Sequence, residues 1–321
     1  MNFVIVGAGA LGSILGAHLL AAGHSVVMLA RGTRAEGLRQ DGIRLQGLIN
    51  CQVPCQVETQ PASLQSADVL ILAVKTLTHE AAAASLAHLG VDMVFSVANG
   101  VLKNQQLIDV FGADHVLGCM ADISGELHAD GCVSFTRNGC LAVGELHTAA
   151  SPRCEALVAT LNASDINAAM VADIRSVEWS KFVGWCPFMG LSVLSRVVSA
   201  QFLSDPDHAA VLVTAVREMH ALASALGITI EAQSPLPVSR LVTGSMADGV
   251  AEVRQVGARM LANAPDHRMS ALQDLERRSP LEVEATLGHA VALGRQHDID
   301  MPTMETLYRL VAGVDRQNRS V

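Results

Sequence analysis

The 321-residue sequence is poor in aromatic and in charged side chains. Aromatic residues make up 3% of the chain and charged residues 17%, and 22 basic against 31 acidic side chains leave a net charge of −9. Binding to nucleic acid needs clustered Lys and Arg for phosphates and aromatic rings for base stacking. The composition therefore argues against nucleic acid as a partner.

The sequence also lacks an apolar run of the roughly 20 residues that a membrane span needs. It begins directly with an apolar strand, without the basic lead and small-residue cleavage site of a signal peptide. Its seven cysteines are scattered and form no Cys-x-x-Cys pair, which is typical of reduced thiols. These absences predict a cytoplasmic protein with no membrane partner, no disulfide and no metal site.

A glycine-rich motif stands at the start of the chain, between an apolar strand at Phe3–Val6 and an Ala- and Leu-rich helix at Leu11–Ala22. In such a Gly-x-Gly-x-x-Gly motif, the first glycine permits the tight turn, the second lets a pyrophosphate approach the backbone, and the third allows close packing of helix on strand. The amides at the helix start attract the phosphates. The motif predicts that a dinucleotide is bound by Gly7, Ala8, Gly9, Ala10, Leu11 and Gly12.

The residue after the second predicted strand, Ser25–Ala30, indicates which dinucleotide is bound. An NAD-preferring fold places Asp or Glu about 20 residues beyond the glycines, where the carboxylate bonds the ribose 2′-hydroxyl. Here that place holds Arg31, whose guanidinium can bind a 2′-phosphate in bidentate fashion. NADP is therefore favoured, the alternative being a surface arginine in a loop.

Two further polar residues follow predicted buried strands. Lys75 comes after Asp68–Val74, and Asn99 comes after Met93–Ala98. Ligands of open α/β sheets lie beyond the carboxyl ends of the strands. Each residue also has a simpler interpretation, a solvated lysine and an Asn-Gly turn, but their shared sheet edge favours a function.

Alternating strands and helices continue to the predicted strand Ile166–Val171, with a small hairpin or edge strands at Ile43–Leu45 and Cys51–Val57 and two separate strands at Gly131–Phe135 and Gly139–Val143. Beyond Ala172 the pattern is helical with no credible strand. We therefore expect an α/β, Rossmann-like dinucleotide-binding domain with a doubly wound sheet over 1–172, followed by an all-α domain over 173–321.

The predicted helical domain opens with a long apolar stretch, Ser176–Ser195, in which Lys181 is followed by no other charged residue. Pro187 and two glycines break this stretch, which predicts a kinked, buried helix pair rather than a membrane segment. A lysine at the head of such a run is readily desolvated, which suits proton donation. The alternative is a snorkelling lysine with its ammonium in water.

Three polar residues near the end of the chain have two interpretations each. Ser279-Pro-Leu-Glu282 is a well-formed capping box, in which Glu282 bonds back to the Ser279 amide. Ser270 and Asp274 are one helical turn apart and can equally be a helix cap and a solvated face. Spacing alone does not assign these residues to a site.

As an ordered set, these motifs resemble the ketopantoate reductase (2-dehydropantoate 2-reductase) family over nearly the whole chain. The resemblance runs from the glycine motif and Arg31 through Val74-Lys75-Thr76, Ala98-Asn99-Gly100 and Glu178-Trp-Ser-Lys181 to Ser270, Asp274 and Glu282. It implies NADPH-dependent reduction of a small 2-oxo acid to a 2-hydroxy acid, in a cleft between a Rossmann domain and a helical domain.

The resemblance also implies roles for single residues. Lys181 matches the lysine that bonds the ketone oxygen and acts as general acid. Glu282 matches a carboxylate that contacts substrate and lysine, and Ser270 matches a residue that binds the substrate carboxylate. Lys75 and Asn99 match residues on the nicotinamide and substrate side of the cleft.

The sequence departs from the family pattern at Trp185 and Met189, where asparagines usually bind the distal hydroxyl of ketopantoate. A site that loses such a hydrogen-bond partner loses much of its preference for the hydroxylated substrate. A different, more apolar 2-oxo acid is therefore an alternative substrate, and a non-catalytic NADP-binding sensor is a third hypothesis. The oligomeric state stays open, because apolar helices suit a homodimer interface and a monomer core equally.

Overall fold

In the computed structural model, residues 1–148, 150–231 and 236–319 are described. The chain divides into two units, Met1–Arg175 and Ser176–Val321. The first unit is α/β and the second is helical, so the predicted fold class is confirmed. The domain boundary expected at Ala172 stays a prediction, close to the division between the units.

The elements of the first unit alternate strand and helix for most of its length. Its strands are β1 (Asn2–Val6), β2 (Ser25–Leu29), β3 (Ile43–Gly47), β4 (Cys51–Val53), β5 (Gln56–Glu58), β6 (Ser66–Leu72), β7 (Gly90–Ser96), β8 (Leu117–Leu127), β9 (Cys132–Glu145) and β10 (Ala168–Met170). Its helices are α1 (Ala10–Ala21), α2 (Gly32–Asp41), α3 (Thr76–Ala84), α4 (Lys103–Phe111), α5 (Pro152–Ala163) and the start of α6 (Ile174–Ser195).

A parallel sheet in the order β5-β2-β1-β6-β7 forms the centre of this unit. Alternate residues of β1 enter two different apolar clusters, Phe3 and Ile5 in one and Val4 and Val6 in the other. The sheet is thus buried on both faces, which is why β1 and β6 at its centre are largely continuous apolar runs in the sequence. A second, mixed sheet in the order β10-β9-β3-β4, with β8 paired to β9, packs into the first cluster.

Several predicted strands are wrong in detail. The segment Cys51–Val57 is two strands in different sheets, because Pro54 cannot donate to a ladder and the chain changes sheets there. The two strands expected between Gly131 and Val143 are one long β9, which the antiparallel partner β8 holds together across two register shifts.

Two helices of this unit, α2 and α4, were not predicted. Helix α2 buries only Ala35 and Leu38, and α4 buries only Lys103 and Leu107. Such short helices with two inward-facing residues give little periodic signal, because tertiary packing rather than propensity stabilises them.

The described residues of the second unit, 176–231 and 236–319, contain helices and no strand, as expected. After α6 come α7 (Ser199–Ser204), α8 (Pro206–Ala225), α9 (Val238–Thr243), α10 (Met246–Asn263), α11 (Ser270–Glu276), α12 (His289–Gln296, preceded by a π-helical turn at Glu284–Gly288) and α13 (Pro302–Arg319). No helix within the described ranges is both long enough and apolar enough to cross a membrane.

Helix α6 is one helix, so the predicted break into a pair is wrong. Pro187 lies inside it, between the fully buried neighbours Cys186 and Phe188. A proline in a helix interior costs about 3 kcal/mol. Burying each large apolar side chain contributes about 1.5–3 kcal/mol. The apolar stretch buries several such side chains, so their burial outweighs the cost of the proline and the helix continues past it.

A buried histidine makes the stability of the first unit depend on pH. His79 on α3 is fully buried. Burial lowers its pKa from 6.5 to about 4; the Gln106 side chain partly opposes this shift and the positive charge of Lys103 adds to it. Between these two values the unfolded chain binds a proton that the folded chain does not, so stability falls as the pH falls through this window.

We expect the free energy of unfolding to drop by about 2 kcal/mol from the His79 contribution between about pH 7.5 and about pH 5. Urea unfolding of the wild-type chain and of His79→Gln at both pH values measures it. The variant should lose less stability on acidification than the wild type. An equal loss in both proteins would show that His79 does not carry the effect.

Candidate active site

The glycine-rich loop is tightly packed at Gly7 and Gly12 and open to solvent space at Gly9. Gly7 has a φ of +96°, and a Cβ there would lie 2.7 Å from Val74 Cγ1. A Cβ on Gly12 would lie 2.0 Å from the Gly7 carbonyl oxygen, whereas a Cβ on Gly9 would meet no atom within 4 Å. The loop therefore leaves open space beside Gly9, where a ligand can approach the backbone.

The start of α1 adds hydrogen-bond donors to this open side. No side chain caps the helix at Gly9, and the first amides of any α-helix, here those of Ala10, Leu11 and Gly12, have no partner within the helix. Such amides together with the helix dipole favour an anion. The loop thus fits the phosphates of a dinucleotide.

Two arginines follow β2, and the structure gives them different surroundings. Arg31 is exposed at the start of α2, and its side chain makes no hydrogen bond or ion pair within the described residues. Arg34 is half-buried and donates to the carbonyl oxygens of Ala8 and Gly131 and to Ser13 Oγ, each at 2.8 Å. Sequence reasoning named Arg31 and missed the contacts of Arg34, because nothing in the pattern shows that its side chain turns back to the glycine loop.

The register of the parallel sheet places Lys75 and Asn99 at one edge. Val6 pairs with Leu72, and Leu72 pairs with Ser96. The glycine loop, Lys75 and Asn99 follow these three paired residues, so all lie at the carboxyl ends of adjacent strands, where open α/β sheets bind ligands. Lys75 is exposed and Asn99 is half-buried.

A buried lysine that the sequence did not single out supports the Asn99 segment. Lys103 is 4% exposed, and its Nζ donates to the carbonyl oxygens of Ala98 and Cys119 at 2.9 and 2.5 Å. The Ala98 amide in turn donates to Ser96 Oγ at 3.2 Å. Ala98, the residue immediately before Asn99, is thus hydrogen-bonded through both its amide and its carbonyl oxygen.

Helix α6 carries three of the predicted residues of the second unit. Lys181, Trp185 and Met189 are spaced four residues apart and so share one face of the helix. Lys181 is half-buried, while Trp185 is 9% and Met189 1% exposed. The face beyond Lys181 is therefore apolar and packed.

The predicted capping box at Glu282 does not form. The Ser279 amide donates to the Asp274 carbonyl oxygen at 2.8 Å, and the Leu281 amide donates to Asp315 Oδ1 at 2.8 Å. The helical turn begins only at Glu284. Because other acceptors take the amides of this segment, Glu282 does not serve as the box carboxylate; it is half-buried.

The cap and solvated face considered for Ser270 and Asp274 are also wrong. Ser270 is exposed and is the first residue of α11, where Met269 occupies the cap position. Asp274 is 8% exposed and thus buried. Within each unit, the structure supports the grouping of the predicted residues, Lys75 and Asn99 with the glycine loop in the first, and Lys181 with Trp185 and Met189 in the second.

The chain matches known proteins over nearly its whole length. The family model described as ketopantoate reductase PanE/ApbA matches residues 3–148, and the model of the C-terminal part of the same family matches residues 173–315. The 2-dehydropantoate 2-reductase of Archaeoglobus fulgidus is 31% identical over 97% of this chain and 97% of its own.

Solved structures agree in fold. A PanE/ApbA family ketopantoate reductase from Ralstonia eutropha JMP134 has a TM-score of 0.85 at 23% identity and covers 99% of this chain and 100% of its own. A D-mandelate dehydrogenase with NADH and anilino(oxo)acetate has a TM-score of 0.84 at 18% identity, with 99% of each chain covered. At these identities the likeness concerns the fold.

The different surroundings of Gly9 and Gly12 give a matched pair of substitutions. Gly9→Ala should lower the free energy of unfolding by no more than about 1 kcal/mol, because the added Cβ has open space and the cost is that alanine is a poorer N-cap residue than glycine, while it weakens dinucleotide binding. Gly12→Ala should destabilise by about 1–3 kcal/mol, because the Cβ overlaps the Gly7 carbonyl. Urea unfolding and nucleotide fluorescence titration measure the two effects. A Gly9→Ala protein that binds dinucleotide normally would contradict the placement of the phosphates.

Proposed function

The chain belongs to the ketopantoate reductase family of NADP-dependent oxidoreductases that act on CH–OH groups, and on this premise we propose that it reduces a 2-oxo acid to a 2-hydroxy acid with NADPH. Ketopantoate is the first candidate substrate, since it is the substrate in the name of the family. The observation that carries the proposal is the open side of the glycine loop, beside Arg31 and at the same sheet edge as Lys75 and Asn99.

The first unit would hold the cofactor. The amides of residues 9–12 bind the pyrophosphate, and Arg31, exposed and with its side chain unengaged within the described residues, binds the 2′-phosphate. Lys75 and Asn99 contact the nicotinamide end and the substrate. Bound NADPH would supply the hydride.

The second unit would supply the proton and the substrate contacts. Negative charge develops on the ketone oxygen as its carbon is reduced, and the Lys181 ammonium stabilises that charge and then donates a proton to the oxygen. Glu282, which is not used as a helix cap, orients the substrate and Lys181. Ser270 binds the substrate carboxylate and Asp274 also contacts the substrate. The Asp274 carbonyl oxygen accepts from the Ser279 amide and so holds the segment that leads to Glu282.

A second candidate substrate is a more apolar 2-oxo acid. Trp185 and Met189 follow Lys181 on the same face of α6 and are buried, so this face offers no side-chain amide to a substrate hydroxyl. A site without such a partner gives little advantage to a hydroxylated substrate over an apolar one. This arrangement favours a substrate such as a branched or aromatic 2-oxo acid.

NADPH oxidation by the purified protein, with ketopantoate beside a panel of branched and aromatic 2-oxo acids, tests the proposal. Efficient turnover of ketopantoate supports the first candidate, and turnover of only the apolar acids supports the second. Tight NADPH binding without turnover of any acid would overturn the reductase and leave a nucleotide-binding sensor.

Removing the proposed general acid should abolish most turnover without affecting the cofactor. Lys181→Ala is expected to lower kcat by about 10² or more and to leave the Kd for NADPH within about twofold, since the change is confined to the second unit. Steady-state kinetics and fluorescence titration measure both quantities. Arg175→Ala, which removes an exposed positive charge from the first turn of the same helix, is the control. Unchanged turnover in Lys181→Ala would overturn its role.

A further inference from the structure

Arg34 joins three segments that the chain brings together around the glycine loop. Its Nε, Nη1 and Nη2 donate at 2.8 Å to the Ala8 carbonyl of the loop, to the Gly131 carbonyl of the turn between β8 and β9, and to Ser13 Oγ on α1. Each nitrogen of the guanidinium thus bonds a protein acceptor. The rigid planar fork of arginine suits such a fixed set of three contacts.

These contacts separate the roles of the two arginines after β2. The nitrogens of Arg34 are directed at the protein, whereas the Arg31 side chain is engaged by nothing within the described residues. Burial lowers the pKa of Arg34, but the guanidinium stays protonated at neutral pH. Arg34 is therefore a charged structural donor, and Arg31 is the guanidinium available to a ligand.

The bond to Ala8 determines which way one amide of the loop points. Ala8 O accepts from Arg34 Nε at 2.8 Å and from Ser13 Oγ at 3.3 Å, so it is held on the protein side. The Ala8 carbonyl and the Gly9 N–H belong to one trans peptide plane and point in opposite directions. Holding the carbonyl inward therefore directs the Gly9 N–H outward, to the side on which a Cβ of Gly9 would meet no atom.

We propose that Arg34 is a positioning residue for the dinucleotide: it fixes the Ala8–Gly9 peptide so that the Gly9 N–H faces the pyrophosphate. This inference rests on the proposed function, in that it takes the ligand to be NADPH. Because the pyrophosphate is common to both nicotinamide dinucleotides, Arg34 sets the affinity for NADPH and NADH alike. Arg31 sets the preference between them.

The surrounding structure can keep its fold when Arg34 is replaced. The turn between β8 and β9 is also held by Arg44, which donates to the Asp130 carbonyl and forms an ion pair with the Asp130 carboxylate at 3.6 Å. Gly7 and Gly12 keep their backbone constraints without Arg34. Loss of the guanidinium thus frees the Ala8–Gly9 peptide more than it unfolds the unit.

Arg34→Met and Arg31→Met are the matched pair for the test, with dissociation constants for NADPH and NADH measured by fluorescence titration without substrate. Arg34→Met should weaken both nucleotides by a similar factor of about tenfold or more, the effect of losing a charged hydrogen bond. Arg31→Met should weaken NADPH by about tenfold or more and leave NADH nearly unchanged. Arg34→Lys, which can restore one donor to Ala8 O, should lie between the wild type and Arg34→Met for both nucleotides.

Urea unfolding of each variant shows whether the protein is folded under the titration conditions. If Arg34→Met does not fold, Ser13→Ala removes the second donor to Ala8 O and should weaken both nucleotides in parallel. Unchanged dissociation constants in folded Arg34→Met, or a loss confined to NADPH, would overturn the positioning role. Wild-type protein that binds neither nucleotide would overturn the proposed cofactor itself, whereas normal binding without turnover would overturn only the proposed reaction.

Discussion

The close approach of Gly12 to the Gly7 carbonyl is the constraint on which the rest of the candidate cofactor site depends. A side chain at Gly12 would place its Cβ 2.0 Å from that oxygen, so only glycine lets α1 begin directly against the end of β1. This contact places the first turn of α1 beside β6, where Ala73 lies under the loop. The Ala8 carbonyl is then within reach of Ser13 and Arg34, and the open side of Gly9 follows from the same geometry.

The parallel register extends this arrangement along the sheet. Because β1, β6 and β7 are adjacent and end at paired residues, short loops after each of them present their residues on one edge. Hydrogen bonds from two basic side chains stabilise these loops. Lys103 Nζ donates to the Ala98 carbonyl oxygen, and Arg34 Nε donates to the Ala8 carbonyl oxygen. In both places a long basic side chain satisfies a backbone acceptor that would otherwise be costly to bury.

The differences between prediction and structure have a common physical cause. Pro187 and the Ser279-to-Glu282 segment carry strong local signals, for a helix break and for a capping box. In the structure, apolar burial along α6 outweighs the proline, and the Asp274 carbonyl and the Asp315 carboxylate take the amides of the second segment. Helices α2 and α4 gave no signal, since each buries only two side chains. Local propensity is a weak force that tertiary contacts of a few kcal/mol override.

The amino-acid sequence by itself determined the fold class, the glycine-loop context and the sheet edge that carries Lys75 and Asn99. These depend on short-range rules: apolar runs for doubly covered strands, glycine where no Cβ fits, and polar residues after strand ends. The tertiary structure alone decided that Arg34 bonds the loop while Arg31 stays exposed, that Lys103 bonds the Ala98 carbonyl just before Asn99, and that Glu282 is no helix cap. Each of these depends on an acceptor that is distant in sequence, such as Gly131 for Arg34 or Cys119 for Lys103, and no periodicity in the chain encodes such a pairing.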